Sequence, residues 1–229
     1  MYLREIQSCA DHEIAERFKG GFVGRFMDHV VCVDWPYSEL IRGKVLANDD
    51  WKIFITFSDR YSTPSDDEPC VSMRVHWPFD FATYQSESND AKKRRILTSV
   101  HAACLWVARR KNWSVQPFID AYEKLLESGV CWTFMSKKQW ISPTRRTKAR
   151  IAVEMDLEEQ RVYVVLFRYR PTDELGRVIA GKSRPHPGSE NYYSEDAGWV
   201  SDHEFAIRVR GKECFRADLG SLMREHSCE

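Results

Sequence analysis

A chain of 229 residues that is 43% hydrophobic and 13% aromatic, with eight tryptophans, can bury a sizeable core and falls outside the disordered class. Its 34 Lys and Arg balance 34 Asp and Glu, so the molecule as a whole lacks the global attraction to polyanions of a strongly basic protein. Seven cysteines with no C-x-x-C spacing, and no apolar stretch after Met1–Glu5 like that of a signal peptide, point to thiols in a reducing, cytoplasmic compartment without membrane association.

The first predicted element is a helix, because Leu3, Ile6, Ala10, Ile14 and Phe18 keep a helical interval up to Gly20-Gly21. Ser8 with Asp11 offers an alternative capped start. Residues 22–34 read as a strand that Trp35-Pro36 stops. Residues 40–47 and 51–58 read as a hairpin around Asn48-Asp49-Asp50, and 59–69 as a polar loop. Val71, Met73, Val75 and Trp77 alternate as a further strand before Pro78. Val33–Tyr37 and Val75–Phe79 end alike, which stop chemistry explains as well as duplication does. The expectation for residues 1–88 is an antiparallel β-meander with one buried face.

Residues 89–129 predict a central helical hairpin. Ser88-Asn89-Asp90 can cap the first helix, whose stripe is Ile96, Leu97, Val100, Ala103, Cys104, Val107 and Ala108. Ser114 is the expected cap of the second helix, and Gly129 suits its left-handed C′ position. Residues 130–229 predict a second antiparallel meander: strands at 130–135, 151–157 and 161–170, then a hairpin about Gly211. Residues 171–201 are the least regular stretch, and the tail from Ser221 reads as frayed. The sum is an α+β fold in a single domain, 1–229, divisible into 1–88, 89–129 and 130–229.

Charge is unevenly placed along these elements. Residues 1–90 hold 9 basic against 16 acidic residues, 91–150 hold 14 against 3, and 151–229 hold 11 against 15. Either the segments neutralise one another in the fold, or the middle one offers a basic face. That face would be Lys92, Lys93, Arg94, Arg95, Lys137, Lys138, Trp140, Arg145, Arg146 and Lys148, with Arg168, Tyr169 and Arg170 as an extension. Cations interleaved with a ring suit single-stranded nucleic acid, although Lys and Arg also guard strand edges. The irregular stretch carries Arg184, His186, Tyr192, Tyr193 and Trp199, residue types that anchor protein interfaces or, folded back, cover a sheet.

Motifs for chemistry are sparse. His101 with Cys104 sits at ligand spacing on a helix, but without a second pair it reads as a buried cysteine beside a hydrogen-bonded histidine, and no metal site follows. Cys9 with His12 and His226 with Cys228 are weaker. Gly20-Gly21-x-x-Gly24 lacks the Lys-Ser/Thr of a phosphate loop, no dinucleotide fingerprint exists, and so no cofactor is implied. Glu154 and Asp156 lack the lysine of a metal-dependent nuclease. The leading expectation is therefore a non-catalytic cytosolic protein-binding protein, in a specific form an immunity-type toxin neutraliser. The alternative is a nucleic-acid-binding or nucleic-acid-processing factor using 92–95 and 137–150.

Overall fold

The computed structural model describes residues 1–17, 22–47, 50–67 and 73–226; Phe18, Gly20-Gly21, Asn48-Asp49, Val71 and Cys228, invoked above, lie outside them. Two compact units emerge, Met1–Trp132 with Asp156–Glu158 (unit 1) and Thr133–Met155 with Glu159–Glu229 (unit 2). The class is α+β.

Unit 1 runs β1 (Glu5–Ala10), α1 (His12–Arg17), α2 (Phe22–Ile41), β2 (Lys52–Ser58), β3 (Ser65–Asp67), β4 (Met73–Pro78), α3 (Phe81–Ser86), α4 (Asn89–Arg110) and α5 (Gln116–Glu127). Its sheet has the order β1-β2-β4-β3. β1 pairs β2 and β2 pairs β4 in parallel, while β3 alone runs antiparallel to β4. This corrects the antiparallel pairing expected for residues 1–88. Ile6, Ser8 and Ala10 alternate inward along a strand, and Ile6 with Ala10 mimics a helical interval because i+4 satisfies both periods. Residues 22–34 are helix, not strand. Phe26, Val30, Val33, Tyr37 and Ile41 are all buried at spacings of three and four, and burying that stripe overrides the β-branched preference of Val30-Val31-Cys32-Val33.

Pro36 lies inside α2, where it removes the amide that would have bonded the Cys32 carbonyl. Trp35-Pro36 is thus helical and Trp77-Pro78 ends a strand, so their likeness reflects no repeat. The hairpin expected over 40–58 is replaced by a parallel crossover, α2 returning the chain to β2 beside β1.

The edge of β1 is closed by α2. Asp11 N–H turns to Phe57 O on β2, so Ile6 and Ser8, of opposite parity, point away from it. Ser38 Oγ accepts from Ile6 N–H at 2.8 Å, and the buried Asp34 carboxylate accepts from Ser8 N–H at 2.5 Å and Ser8 Oγ at 2.9 Å. Burial, only partly opposed by Ser8, pushes the Asp34 pKa up to about 7.

The helical hairpin is present, with its first stripe wholly buried. Ser88 Oγ accepts from Ala91 N–H at 3.4 Å. The second helix is capped differently from the expectation: Val115, not Ser114, is the cap, with Pro117 in the first turn. Gly129 adopts φ +65° at the C′ position. Tyr37 Oη donates to Phe118 O at 3.0 Å and meets His101 Nδ1 at 2.8 Å, and His101 stacks on Tyr122 at 4.2 Å, which ties α2, α4 and α5 together. Lys93 is buried between Asp90 (3.3 Å) and Asp156 (3.2 Å). Burial would lower its pKa, but those carboxylates outweigh it and hold it above the ordinary value. Leu157 beside Asp156 is fully buried.

The remaining elements are β5 (Trp132–Met135), β6 (Trp140–Ile141), β7 (Thr147–Met155), β8 (Gln160–Arg168), β9 (Glu174–Ser183), α6 (Ser189–Ser194), β10 (Asp196–Trp199), β11 (Glu204–Val209), β12 (Lys212–Asp218) and α7 (Gly220–Glu225). β7-β8-β9 and β10-β11-β12 are antiparallel meanders. Residues 171–201 are more ordered than their Gly and Pro content suggests, since they form β9, α6 and β10, and α7 replaces the expected frayed tail from Ser221 to His226. Ala149, Ile151, Val153 and Met155 of β7 and Val162, Val164 and Leu166 of β8 bury one face. Phe215 of β12 lies directly on Gly181 of β9, where a Cβ would come within 2.0 Å of the ring. Among the described residues no helix is long and apolar enough to cross a membrane.

Candidate nucleic-acid interface

Two loops of unit 2 meet at one end of its larger sheet. Between β6 and β7, Ser142 folds the turn: its N–H donates to Thr147 O (2.9 Å), its Oγ accepts from Thr147 N–H (3.2 Å), and its carbonyl accepts from Arg145 N–H (2.9 Å). This places Arg145 at φ +56°, a region that favours glycine. After β8, Arg168 N–H donates to Asp173 O (2.8 Å), and Tyr169 N–H donates to Arg146 O (3.0 Å), which joins the two loops. Lys148 stands opposite Phe167 in the β7–β8 register and donates to Thr172 Oγ1 at 2.9 Å. The Arg170 guanidinium lies 5.3 Å from the centre of the Tyr169 ring.

Arg145, Arg146, Lys148 and Arg170 therefore belong to the end of the sheet that also holds Phe167 and Tyr169. Among the described residues no carboxylate comes within 4.0 Å of any of the four cations. Glu174, opposite Phe167 on β9, is held by Arg177 at 2.9 Å. At the other end of the sheet the charges are matched: Arg161 pairs with Glu154 (2.9 Å) and Glu159 (2.8 Å), and Lys182 with Glu159 (3.1 Å).

The rest of the predicted basic set divides between the units. Lys92 to Arg95 lie on α4 in unit 1, whereas Lys137 to Lys148 lie in unit 2. Lys92 sits 5.7 Å from the Tyr84 ring, Lys93 is buried, Arg94 is exposed, and Arg95 clasps Glu87 with bonds of 2.9 and 3.0 Å. Lys137 is exposed. Lys138 donates to the carbonyls of Ser194 (3.3 Å) and Glu195 (3.4 Å) and lies 5.2 Å from the Trp140 ring. Trp140 packs edge-on against Phe205 at 5.3 Å, Trp199 does so at 5.6 Å, and Trp199 Nε1 donates to Trp140 O at 3.1 Å. Both tryptophans are half-buried and pack on the buried Phe205.

The aromatic stretch also divides. The Tyr193 hydroxyl lies 2.8 Å from Ser183 Oγ and accepts from Gln160 Nε2 at 3.1 Å, and its ring is buried. Gln160 Oε1 accepts from His186 N–H (3.1 Å) and Ser189 Oγ (2.7 Å), so one buried amide fixes the segment. Arg184, His186 and Tyr192 remain outside, with Tyr192 41% exposed.

For chemistry, burial pushes the thiols of Cys9, Cys32 and Cys104 up, opposite to the lowered values of nucleophilic cysteines. Among the described residues no group of three His, Cys, Asp or Glu side chains could hold a metal ion. A set missed from the sequence lies at the carboxyl ends of β1, β2 and β4. Tyr61 Oη donates to Asp11 Oδ2 (3.1 Å), His76 Nδ1 meets Tyr61 Oη (2.9 Å), and Arg60 holds both Asp11 (2.7 Å) and Glu13. Burial would raise the Asp11 pKa, but Arg60, the Glu13 amide and Tyr61 together hold it below the ordinary value. The available signal was an aspartate just past each parallel strand, Asp11, Asp59 and Asp80; it becomes visible only once the strands are known to point the same way. No family model, curated protein or solved structure matches the chain.

Proposed function

We propose that unit 2 binds nucleic acid through Arg145, Arg146, Lys148 and Arg170. The observation that carries this reading is that four cations at one end of a sheet have no carboxylate within 4.0 Å among the described residues, whereas at the other end Arg161 and Lys182 pair with Glu154 and Glu159. Arg145 adds to it. A non-glycine residue in the left-handed region costs about 1–2 kcal/mol, and an exposed arginine there without a carboxylate partner suggests a role outside the fold. Overall neutrality is no obstacle, because unit 2 holds 17 basic against 13 acidic residues and unit 1 the reverse excess, 17 against 21. The setting is a reducing cytosol, in keeping with Cys9, Cys32, Cys104, Cys131 and Cys214 as thiols.

Fluorescence anisotropy with labelled oligonucleotides tests this. Binding is expected to weaken with salt at a log–log slope of about −3 on single strands if four phosphates are contacted. Arg145→Glu with Arg146→Glu is expected to abolish it. Salt-insensitive binding, or none to either single or double strands, would remove the reading.

A protein partner is the second reading, in its specific form an immunity-type toxin neutraliser. It is favoured by Arg184, His186 and Tyr192, which face outward from a segment held in place by Gln160. It expects one stoichiometric partner on pull-down from the native host, lost with Tyr192→Ala. Recovery of the protein alone in repeated pull-downs would count against it.

A further inference from the structure

Resting on the nucleic-acid reading, we infer that the site takes an unpaired strand, and that Phe167 and Tyr169, not Trp140, are the rings on which its bases stack. Trp140 is committed edge-on to Phe205 and covered by Lys138. Phe167 and Tyr169 are half-buried, with Lys148 opposite the first and Arg170 over the second. Phe167 lies near the end of β8 and Tyr169 directly follows that strand.

The base face decides between strand types. A paired duplex offers no base face to a side chain standing on a sheet, whereas every unpaired base has one. Lys148, opposite Phe167, and Arg170, over Tyr169, then lie where the backbone of such a strand would pass.

The test measures anisotropy of a fluorescein-labelled 12-nucleotide oligo-dT and of a 12-base-pair duplex on the full chain. At least tenfold tighter binding of the single strand is expected. Tyr169→Ala should weaken the single strand 5- to 100-fold, the range of one base stack, and leave the duplex within twofold; Tyr169→Trp should restore it. Equal or tighter duplex binding, or equal loss on both probes, overturns the inference while leaving nucleic-acid binding standing; no binding to either probe overturns the reading beneath it. Should Tyr169→Ala fail to fold, photo-cross-linking of a 4-thiothymidine oligonucleotide to the unaltered protein replaces it. Cross-links at Phe167 or Tyr169 support the inference, and cross-links confined elsewhere overturn it.

Discussion

Among the described residues the Asp34 carboxyl has two donors, both from Ser8, and no ion-pair partner within 4.0 Å, and it is held in a dry setting. With its pKa at about 7 in the folded chain against 3.8 unfolded, the native state binds its proton more tightly. The stabilisation is complete below pH 3.8 and is lost as pH rises to about 7. His29 behaves oppositely. Burial, only partly offset by Glu158, lowers its pKa to about 4 from 6.5, so its contribution is complete above pH 6.5 and falls away as pH drops toward 4. Asp34→Asn keeps an acceptor for Ser8 N–H while removing the titration. Urea denaturation should show the variant gaining on the parent between pH 4 and 7, by up to about 4 kcal/mol for a shift of about three units; a flat difference would mean that Asp34 stays ionised. Nothing in the sequence marked this aspartate, because residues 22–34 read as strand and the position facing β1 existed only once they became helix.

At the scale of elements, what was legible follows from period and caps. α4 announced itself by a stripe at intervals of three and four behind Ser88, and β7 by strict alternation. Pairing direction is not written in alternation, so β1, β2 and β4 gave no sign of being parallel. β9 was hidden by its glycines, and one of them has a packing reason: Gly181 leaves the space that Phe215 fills. Gly181→Ala is therefore expected to destabilise by about 1–3 kcal/mol, the range for overpacking, seen as a lowered Tm. The β6–β7 turn should respond the other way. Arg145→Gly relieves a left-handed arginine and is expected to raise stability by about 1 kcal/mol while weakening oligonucleotide binding. Gain in both would separate the strain from function.

Across the whole molecule, the cationic run between Lys92 and Arg150 divides between the two units. Its first group helps build unit 1, through Lys93 with Asp90 and Asp156 and Arg95 with Glu87. Its second group was legible as a candidate surface, but the loop bond from Tyr169 to Arg146 that completes it was not, because it joins residues 23 positions apart. The units also do not follow the chain order. Asp156–Glu158, between β7 and β8, belongs to unit 1, with Leu157 wholly inside. Leu157→Ala is expected to cost 2–5 kcal/mol, roughly as any buried leucine does, and calorimetry would detect it; an effect below about 1 kcal/mol would show that the turn contributes little.

The closing of β1 by Ser38 and Asp34 has a bearing beyond stability. A lateral strand with free amides invites a neighbouring molecule to zip onto it and seed fibres. Here the amides of Ile6 and Ser8 on that rim are already taken by the protein's own side chains, so a neighbouring strand finds no template at those positions.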